Sequence, residues 1–324
     1  MSTITPEKST AAETQFLSDT LAGLYASPKF MRAKYFYDER GDFLFQQIME
    51  LDEYYLTNAE MDIFSRQSGQ IADLINRKDS PFDLIELGAG DATKSIHLLR
   101  ELLDRKATFS YLPVDISDHV ISDLERVLPR ELPGLDIKGL NGDYLDMLQQ
   151  GVSLSSRRKV VLFMGANIGN MDQHEAEKFL YSLRSFLSEG DLLIIGFDLK
   201  KHPKQILAAY NDSKGRTSAF NLNLLERINR ELGGDFEPDN FEHYACYDPE
   251  SGACKSYLIS LKDQIVHIGD SEAFNFSSNE YIYMEISQKY SLEDIEKLAL
   301  KSGFDYKHNF FDSNGYFVDS VWAV

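Results

Sequence analysis

Apolar and polar positions change period along this chain, and each change of period marks an element. From residue 83 the sequence reads DLIELGAG (83–90), an apolar run closed by glycines, and then takes a helical spacing through residue 103. TFSYLPVDIS (108–117) repeats the strand pattern and leads into a helical stretch over 118–128. LDIKGLNGDY (135–144), KVVLFMGANIG (159–169), a helix over 173–187 and DLLIIGFDL (191–199) continue the alternation. Near-continuous apolar strands joined by helices predict a mostly parallel sheet covered on both faces, a doubly wound α/β core.

Beyond residue 199 the texture differs. QILAAYND and TSAFNLNLLERINREL predict helices within 201–232, with Gly233 and Gly234 as the stop. Residues 243–269 alternate with a period of two around a hairpin turn at 249–252. SLEDIEKLALKSGF (291–304) predicts a helix that opens on Ser291 with an acidic first turn and closes at Gly303. The ending HNFFDSNGYFVDSVWAV predicts a hairpin across 313–315. The middle block therefore reads as an insertion before the last core elements.

Charge narrows the partners. Thirty-three Lys and Arg face 52 Asp and Glu, a net −19 over 324 residues, and such a surface repels phosphate backbones, which argues against nucleic acid. The two cysteines, Cys246 and Cys254, form no CxxC, so neither a disulfide framework nor a zinc site is expected, and a reduced, cytoplasmic location is. The opening MSTITPEKSTAAETQFL has no apolar core of signal-peptide length, and no run of 18 apolar residues occurs, so no membrane association is expected. Residues 1–12 are expected to fray, and the chain is expected to act as a monomer.

The glycine turn carries the first chemistry. Gly88 and Gly90 let the backbone turn tightly and approach a ligand at a helix N-terminus, though a plain strand-to-helix turn looks the same in isolation. A dinucleotide pyrophosphate would want a third glycine at position 93; the chain has Thr93, followed by Lys94. Asp115 closes the second strand, where a carboxylate can accept both hydroxyls of an adenosine ribose, in either an adenosyl or a nicotinamide cofactor. The third strand ends in Asn141-Gly142-Asp143-Tyr144, an acid for an adenine amino group beside an aromatic ring. That arrangement suits S-adenosylmethionine better than a nicotinamide. The fourth strand ends in GANIGN, where the Asn170 amide can accept from an amine and donate to a carboxylate, or simply stabilise a turn.

With these motifs, the chain resembles the S-adenosylmethionine-dependent L-histidine Nα-methyltransferases of ergothioneine biosynthesis, to whose superfamily fungal methyltransferases of tryptophan-derived amines also belong. The resemblance spans about 28–324 and rests on KYFYDERGDFLFQQIMELDEYYLTNAE (34–60), IELGAG, VDIS, NGDY, IGN, TSAFNLNLLERINREL and MEISQKY. It implies a Rossmann-like class I methyltransferase core (63–199 and 287–324) with a C-terminal antiparallel hairpin. It also implies a discontinuous second domain (1–62 and 200–286) that closes over the substrate. A cofactor site of Tyr37, Gly88, Lys94, Asp115, Asp143 and Tyr144 follows from it, as does an amino-acid pocket of Tyr54, Asn170, Tyr210, Glu285 and Ser287. The implied reaction is trimethylation of the histidine α-amine to hercynine, without a metal.

In an extended segment residues 285 and 287 face one side, so a carboxylate and a hydroxyl could meet the two imidazole nitrogens; a solvent-facing Glu/Ser pair would look the same. No dedicated base is identified, Tyr37 or a water being the candidates. The glycine loop reads GAGDAT where the family is usually serine-rich, Ala166-Asn167 precedes IGN where small hydroxyl residues are typical, and Ser256 falls near a position that shapes the aromatic pocket. Another aromatic substrate such as tryptophan, a nicotinamide dehydrogenase and a non-catalytic binding module are the competing readings.

Overall fold

The computed structural model describes residues 11–76 and 80–324; residues 1–10 of the stretch expected to fray lie outside them. Along the chain run α1 (Ala11–Tyr25), β1 (Lys29–Phe30), α2 (Glu39–Met49), α3 (Tyr55–Ile75), β2 (Phe82–Leu87), α4 (Ser95–Asp104), β3 (Phe109–Asp115) and α5 (Asp118–Glu131). Then come β4 (Leu140–Asn141), α6 (Tyr144–Ser153), β5 (Arg158–Phe163), α7 (Gln173–Ser185), β6 (Leu192–Asp198), α8 (Pro203–Tyr210) and α9 (Arg216–Leu232). The remainder is β7 (Phe241–Asp248), β8 (Ala253–Ser260), β9 (Gln264–Ile268), β10 (Glu272–Phe276), β11 (Tyr281–Gln288), α10 (Leu292–Lys301), β12 (Asp305–Phe311) and β13 (Phe317–Ala323).

These elements form two compact units, one from the residues up to Tyr54 with His202–Ser287, the other from Tyr55–Lys201 with Gln288–Val324. The sequence reading put the first division at residue 62, inside α3. The whole of α3 instead belongs to the second unit, because its apolar face packs on α4, β6 and β13.

The second unit is built on a seven-stranded sheet ordered β12-β13-β6-β5-β2-β3-β4. β2 through β6 run parallel, and β13 lies antiparallel between β6 and β12. Every residue of β2 and β6 is buried, the burial expected of strands covered on both faces. From β2 the chain goes outward to β3 and β4, then returns to β5 on the other side. The order therefore reverses between β2 and β5, and ligands of open α/β sheets bind outside the carboxyl ends at such a point.

Helix ends follow their sequence signals. Ser291 and Asp294 form a reciprocal capping box on α10, an arrangement in which the cap contributes about 1 kcal/mol. The C-terminal hairpin closes as β12 and β13. LDIKGLNGDY departs from its expected strand: only Leu140 and Asn141 join the ladder, with an isolated bridge at Ile137. This is the sheet edge, and the Gly139 N–H is taken by the Glu125 side chain at 2.7 Å rather than by a strand.

In the first unit, a sheet ordered β1-β11-β8-β7 and the β9–β10 hairpin surround α9. Phe220, Leu224, Leu225 and Ile228 of α9 share one apolar core with Phe241, Leu258, Ile282 and Met284 of the strands. Among the described residues no helix is long and apolar enough to cross a membrane.

Candidate functional site

The glycine turn sits at the reversal point of the sheet. Gly88 and Gly90 take left-handed φ of +75° and +52°, and the Gly88 and Ala89 N–H groups donate to the Val114 carbonyl. The two glycines serve different ends. A Cβ at Gly88 would stand 2.9 Å from the Tyr144 hydroxyl and 3.1 Å from the Asn167 amide, whereas a Cβ at Gly90 would meet nothing within 4 Å. Gly88 is demanded by packing, and Gly90 leaves open space for a ligand. Between Gly90 and the helix, the Asp91 side chain accepts from the Thr93 N–H at 3.1 Å and hydroxyl at 2.8 Å, closing a local turn. Thr93 is exposed, so the close helix–sheet packing that a third dinucleotide glycine serves is not made there.

Asp115 ends β3 beside this turn. Its Oδ2 accepts from the Gly90 N–H at 3.1 Å and its Oδ1 from the Ser117 N–H at 3.0 Å, which aims the carboxylate while leaving a lone pair on each oxygen for ligand hydroxyls. Asn141 ties β4 to β3 by donating to the Asp115 and Ile116 carbonyls. Asp143 is exposed and caps α6 through the Leu145 N–H at 3.2 Å. Tyr144 packs edge-on against Phe163, and burial pushes its hydroxyl up to about 12, so it stays protonated at neutral pH. Ile116, 68% exposed directly after Asp115, offers an apolar surface at the same strand ends. The sequence reading missed it, though an apolar residue following a strand-end acid was the available signal. Acid, second acid, apolar surface and open glycine fit the adenosine half of S-adenosylmethionine.

Lys94, at the N-cap position of α4, is ion-paired with the fully buried Glu60 of α3. Burial alone would lower the lysine, but the Glu60 carboxylate outweighs it and holds the ammonium above its usual range. Both Glu60 oxygens also accept the Gly165 N–H, at 2.8 and 3.0 Å. β6 admits the carboxylate because it carries Gly196, where a Cβ would stand 2.4 Å from Glu60 Oε1. Nearby in the same interior, burial pushes Asp319 well above the carboxylate range and Glu86 up to about 7, the latter taking the Tyr111 hydroxyl at 2.6 Å.

After β5, Gly165 and Ala166 turn left-handed into a 3₁₀ turn, Asn167–Asn170. Asn170 is exposed at its end. Gly169 is pressed against the chain at Gln288, where a Cβ would stand 2.9 Å from the carbonyl. The Ala166-Asn167 departure places the Asn167 amide close to both Gly88 and Gly165.

In the first unit, Tyr37, Tyr54, Tyr210 and Ser287 belong to one connected group. The Tyr210 hydroxyl and Ser287 Oγ lie 2.7 Å apart. Tyr54 meets Tyr210 edge-on, Phe45 bridges Tyr54 to Tyr37, and Phe220 packs on both Phe45 and Tyr37. Tyr37 is 44% exposed at the end of its turn. Glu285, two residues before Ser287 on β11, accepts from the Asn221 amide at 3.4 Å. Ser256 is buried on β8, opposite Ala245. Asn221, Phe45 and Phe220 were not singled out from the sequence. Their signal was an asparagine set between Phe220 and Leu224 and Leu225 at helical spacing, and aromatic residues where any core residue would have served.

A doubly wound sheet with this glycine turn and acids closing β3 and following β4 has the form of an S-adenosylmethionine-dependent methyltransferase. A family model described as histidine-specific methyltransferase, SAM-dependent, matches residues 16–324, and the chain belongs to that family. It is 33% identical over 301 residues to a histidine N-alpha-methyltransferase of Mycolicibacterium smegmatis, covering 92% of each chain. It is 34% identical over 273 residues to the enzyme of the same name from Mycobacterium tuberculosis, covering 84% of this chain and 83% of that one. A more distant relative is an L-tryptophan methyltransferase of Psilocybe serbica, 26% identical over 312 residues, 87% of this chain and 86% of the relative.

Proposed function

We propose that this enzyme methylates the α-amine of L-histidine three times, giving the betaine hercynine as a step of ergothioneine biosynthesis. The observation that carries this reading is the pair of polar side chains on β11: the Glu285 carboxylate held by Asn221, and the Ser287 hydroxyl held by Tyr210. An imidazole presents one N–H donor and one bare nitrogen acceptor, which a carboxylate and a hydroxyl can answer together. An indole has only a donor, and would leave the hydroxyl facing an apolar edge.

Gly88, Gly90, Lys94, Asp115, Asp143 and Tyr144, with Tyr37, would hold S-adenosylmethionine. When bound, it supplies an electrophilic methyl group on a sulfonium. Asp115 takes the ribose hydroxyls, Asp143 the adenine amino group, and Ile116 and the Tyr144 ring flank the base. For the amino acid we assign Tyr54, Tyr210, Glu285 and Ser287, and, in the second unit, Asn170. Their task is alignment: holding an amine in an attacking geometry contributes roughly 7–11 kcal/mol in favourable systems. The amine must lose its proton before each transfer; no dedicated base is assigned, Tyr37 and a water being the candidates. No metal enters this chemistry. We further assign a monomer acting in the cytoplasm on a free amino acid, with neither nucleic acid nor membrane as partner; the net charge of −19 supports the first of these exclusions.

The test is mass spectrometry of products from purified protein, S-adenosylmethionine and a panel of amino acids. Histidine should gain up to three methyl groups on its α-nitrogen. Turnover of tryptophan with histidine ignored would overturn the substrate assignment.

A further inference from the structure

Asn221 is fully buried on α9, on the same face as Phe220, Leu224 and Leu225. Asparagine is a weak helix former, and an apolar residue of its size would suit those neighbours better. Its amide has a specific employment. Nδ2 donates to the Thr217 carbonyl at 3.1 Å, one turn back, and to Glu285 Oε1 at 3.4 Å. A carbonyl and a carboxylate can only accept, so the amide has one allowed orientation, NH2 toward these two and Oδ1 away. That Oδ1 is buried and has no hydrogen-bond partner among the described residues. A buried acceptor without a donor is uncommon and calls for an explanation.

We propose that Asn221 is a positioning residue for specificity: its amide, anchored on the helix backbone by Thr217, sets the rotamer in which Glu285 accepts the N–H of the substrate ring. This rests on the reading of Glu285 as the ring acceptor. The anchor gives the geometry its rigidity. One proton of the NH2 group is committed to the helix and the other to the carboxylate, so Asn221 ties the glutamate to a backbone element. An acceptor aimed in this way favours a ring that brings a donor.

Because Asn221 acts through Glu285, the decisive measurement is a double-mutant cycle on the full chain. Asn221→Leu keeps the branched shape and removes both hydrogen bonds; Asn221→Ser is the second variant, should the bulkier leucine impair folding as judged by its melt. Histidine dissociation constants by calorimetry, KM and kcat are measured for wild type, Asn221→Leu, Glu285→Ala and the double variant, alongside S-adenosylmethionine affinity. Asn221→Leu should weaken histidine about 10- to 100-fold in Kd and KM, the range of one hydrogen bond to a charged group, with kcat and cofactor affinity nearly unchanged. In the Glu285→Ala background the same change should cost almost nothing further. Additive losses, or equal losses in cofactor affinity, overturn the proposal, because a merely structural asparagine would act that way. A large Glu285→Ala effect with no Asn221→Leu effect overturns this proposal alone. Failure of wild type to bind histidine, or no effect of Glu285→Ala, overturns the pocket reading and this proposal with it.

Discussion

The Lys94 ammonium and the Glu60 carboxylate are ion-paired across 34 positions of sequence, joining the helix that follows the glycine turn to α3. Glu60 is the last residue of the long 34–60 pattern, and the pairing gives that position a physical reason. The same carboxylate takes the Gly165 N–H, so one buried group fixes the turn after β2 and the turn after β5, on either side of the sheet's reversal point.

Breaking this pair from one side leaves a buried charge uncompensated, which costs about 3–5 kcal/mol. Glu60→Gln should therefore lower stability by that order in denaturant titrations and weaken S-adenosylmethionine binding. Adding Lys94→Met should restore much of the stability without restoring the binding. A single Glu60→Gln variant as stable as wild type would contradict the arrangement.

Asp115→Ala removes the acceptor of the Gly90 N–H together with the acceptor proposed for the ribose hydroxyls. Charge-assisted bonds of this kind contribute roughly 1.5–3 kcal/mol, so calorimetry should show cofactor affinity falling about 10- to 100-fold. NAD should not bind measurably to wild type or variant, since the third-glycine position is an exposed threonine.

Glu285→Ala should harm histidine far more than the cofactor. Losing a charged acceptor in the pocket, with a ring N–H left unpaired, costs on the order of 2–4 kcal/mol, or about 30- to 1000-fold in kcat/KM. The same change should relax discrimination against tryptophan, whose indole suits an apolar wall. Competition assays with both amino acids would read the ratio directly.

Glu86 makes stability fall as pH rises from acid to neutral. Burial raises its carboxyl from an ordinary 4.5 to about 7, so the folded protein keeps a proton that the unfolded chain releases. The stabilisation is complete below pH 4.5 and is lost as pH rises through 7, up to about 3 kcal/mol. Glu86→Gln keeps an acceptor for Tyr111 and cannot ionise. Denaturant midpoints for this variant should fall less between pH 5 and pH 8 than those of wild type.

His243 produces the opposite slope. It is buried on β7 with Nε2 unpartnered among the described residues, and burial lowers it from 6.5 to about 4. Below pH 6.5 the unfolded chain takes up a proton that the folded one refuses, so stability falls as pH drops toward 4, again by up to about 3 kcal/mol. His243→Leu should flatten that acid limb while leaving the profile above pH 7 unchanged. A melt series from pH 4 to pH 7 would show it.

Much of this was legible in the chain because it is local. The glycine turn, the acid closing β3 and the capping box at Ser291 each depend on residues a few positions apart, or on a strand end whose place follows from the apolar run before it. The 285/287 pair came instead from the family resemblance, and the structure places both residues on one strand, β11. The edge strand was overread: LDIKGL has the apolar content of a strand, but at the border of the sheet there is only one neighbour to pair with, and Gly139 bonds to a side chain instead.

By itself, then, the sequence determined which faces are buried, where the sheet's ligand end lies and which residue types stand there. It did not determine which buried polar groups meet. Glu60 with Lys94, Asn221 with Glu285, and Glu86 with Tyr111 are pairs between separate elements, and nothing in their local spacing announces them. The physical reason is that hydrophobic periodicity records transfer out of water, which each element experiences alone. The pairing of polar groups is imposed by the cost of desolvating them without a partner, and that cost arises only once the packed elements have excluded water around them.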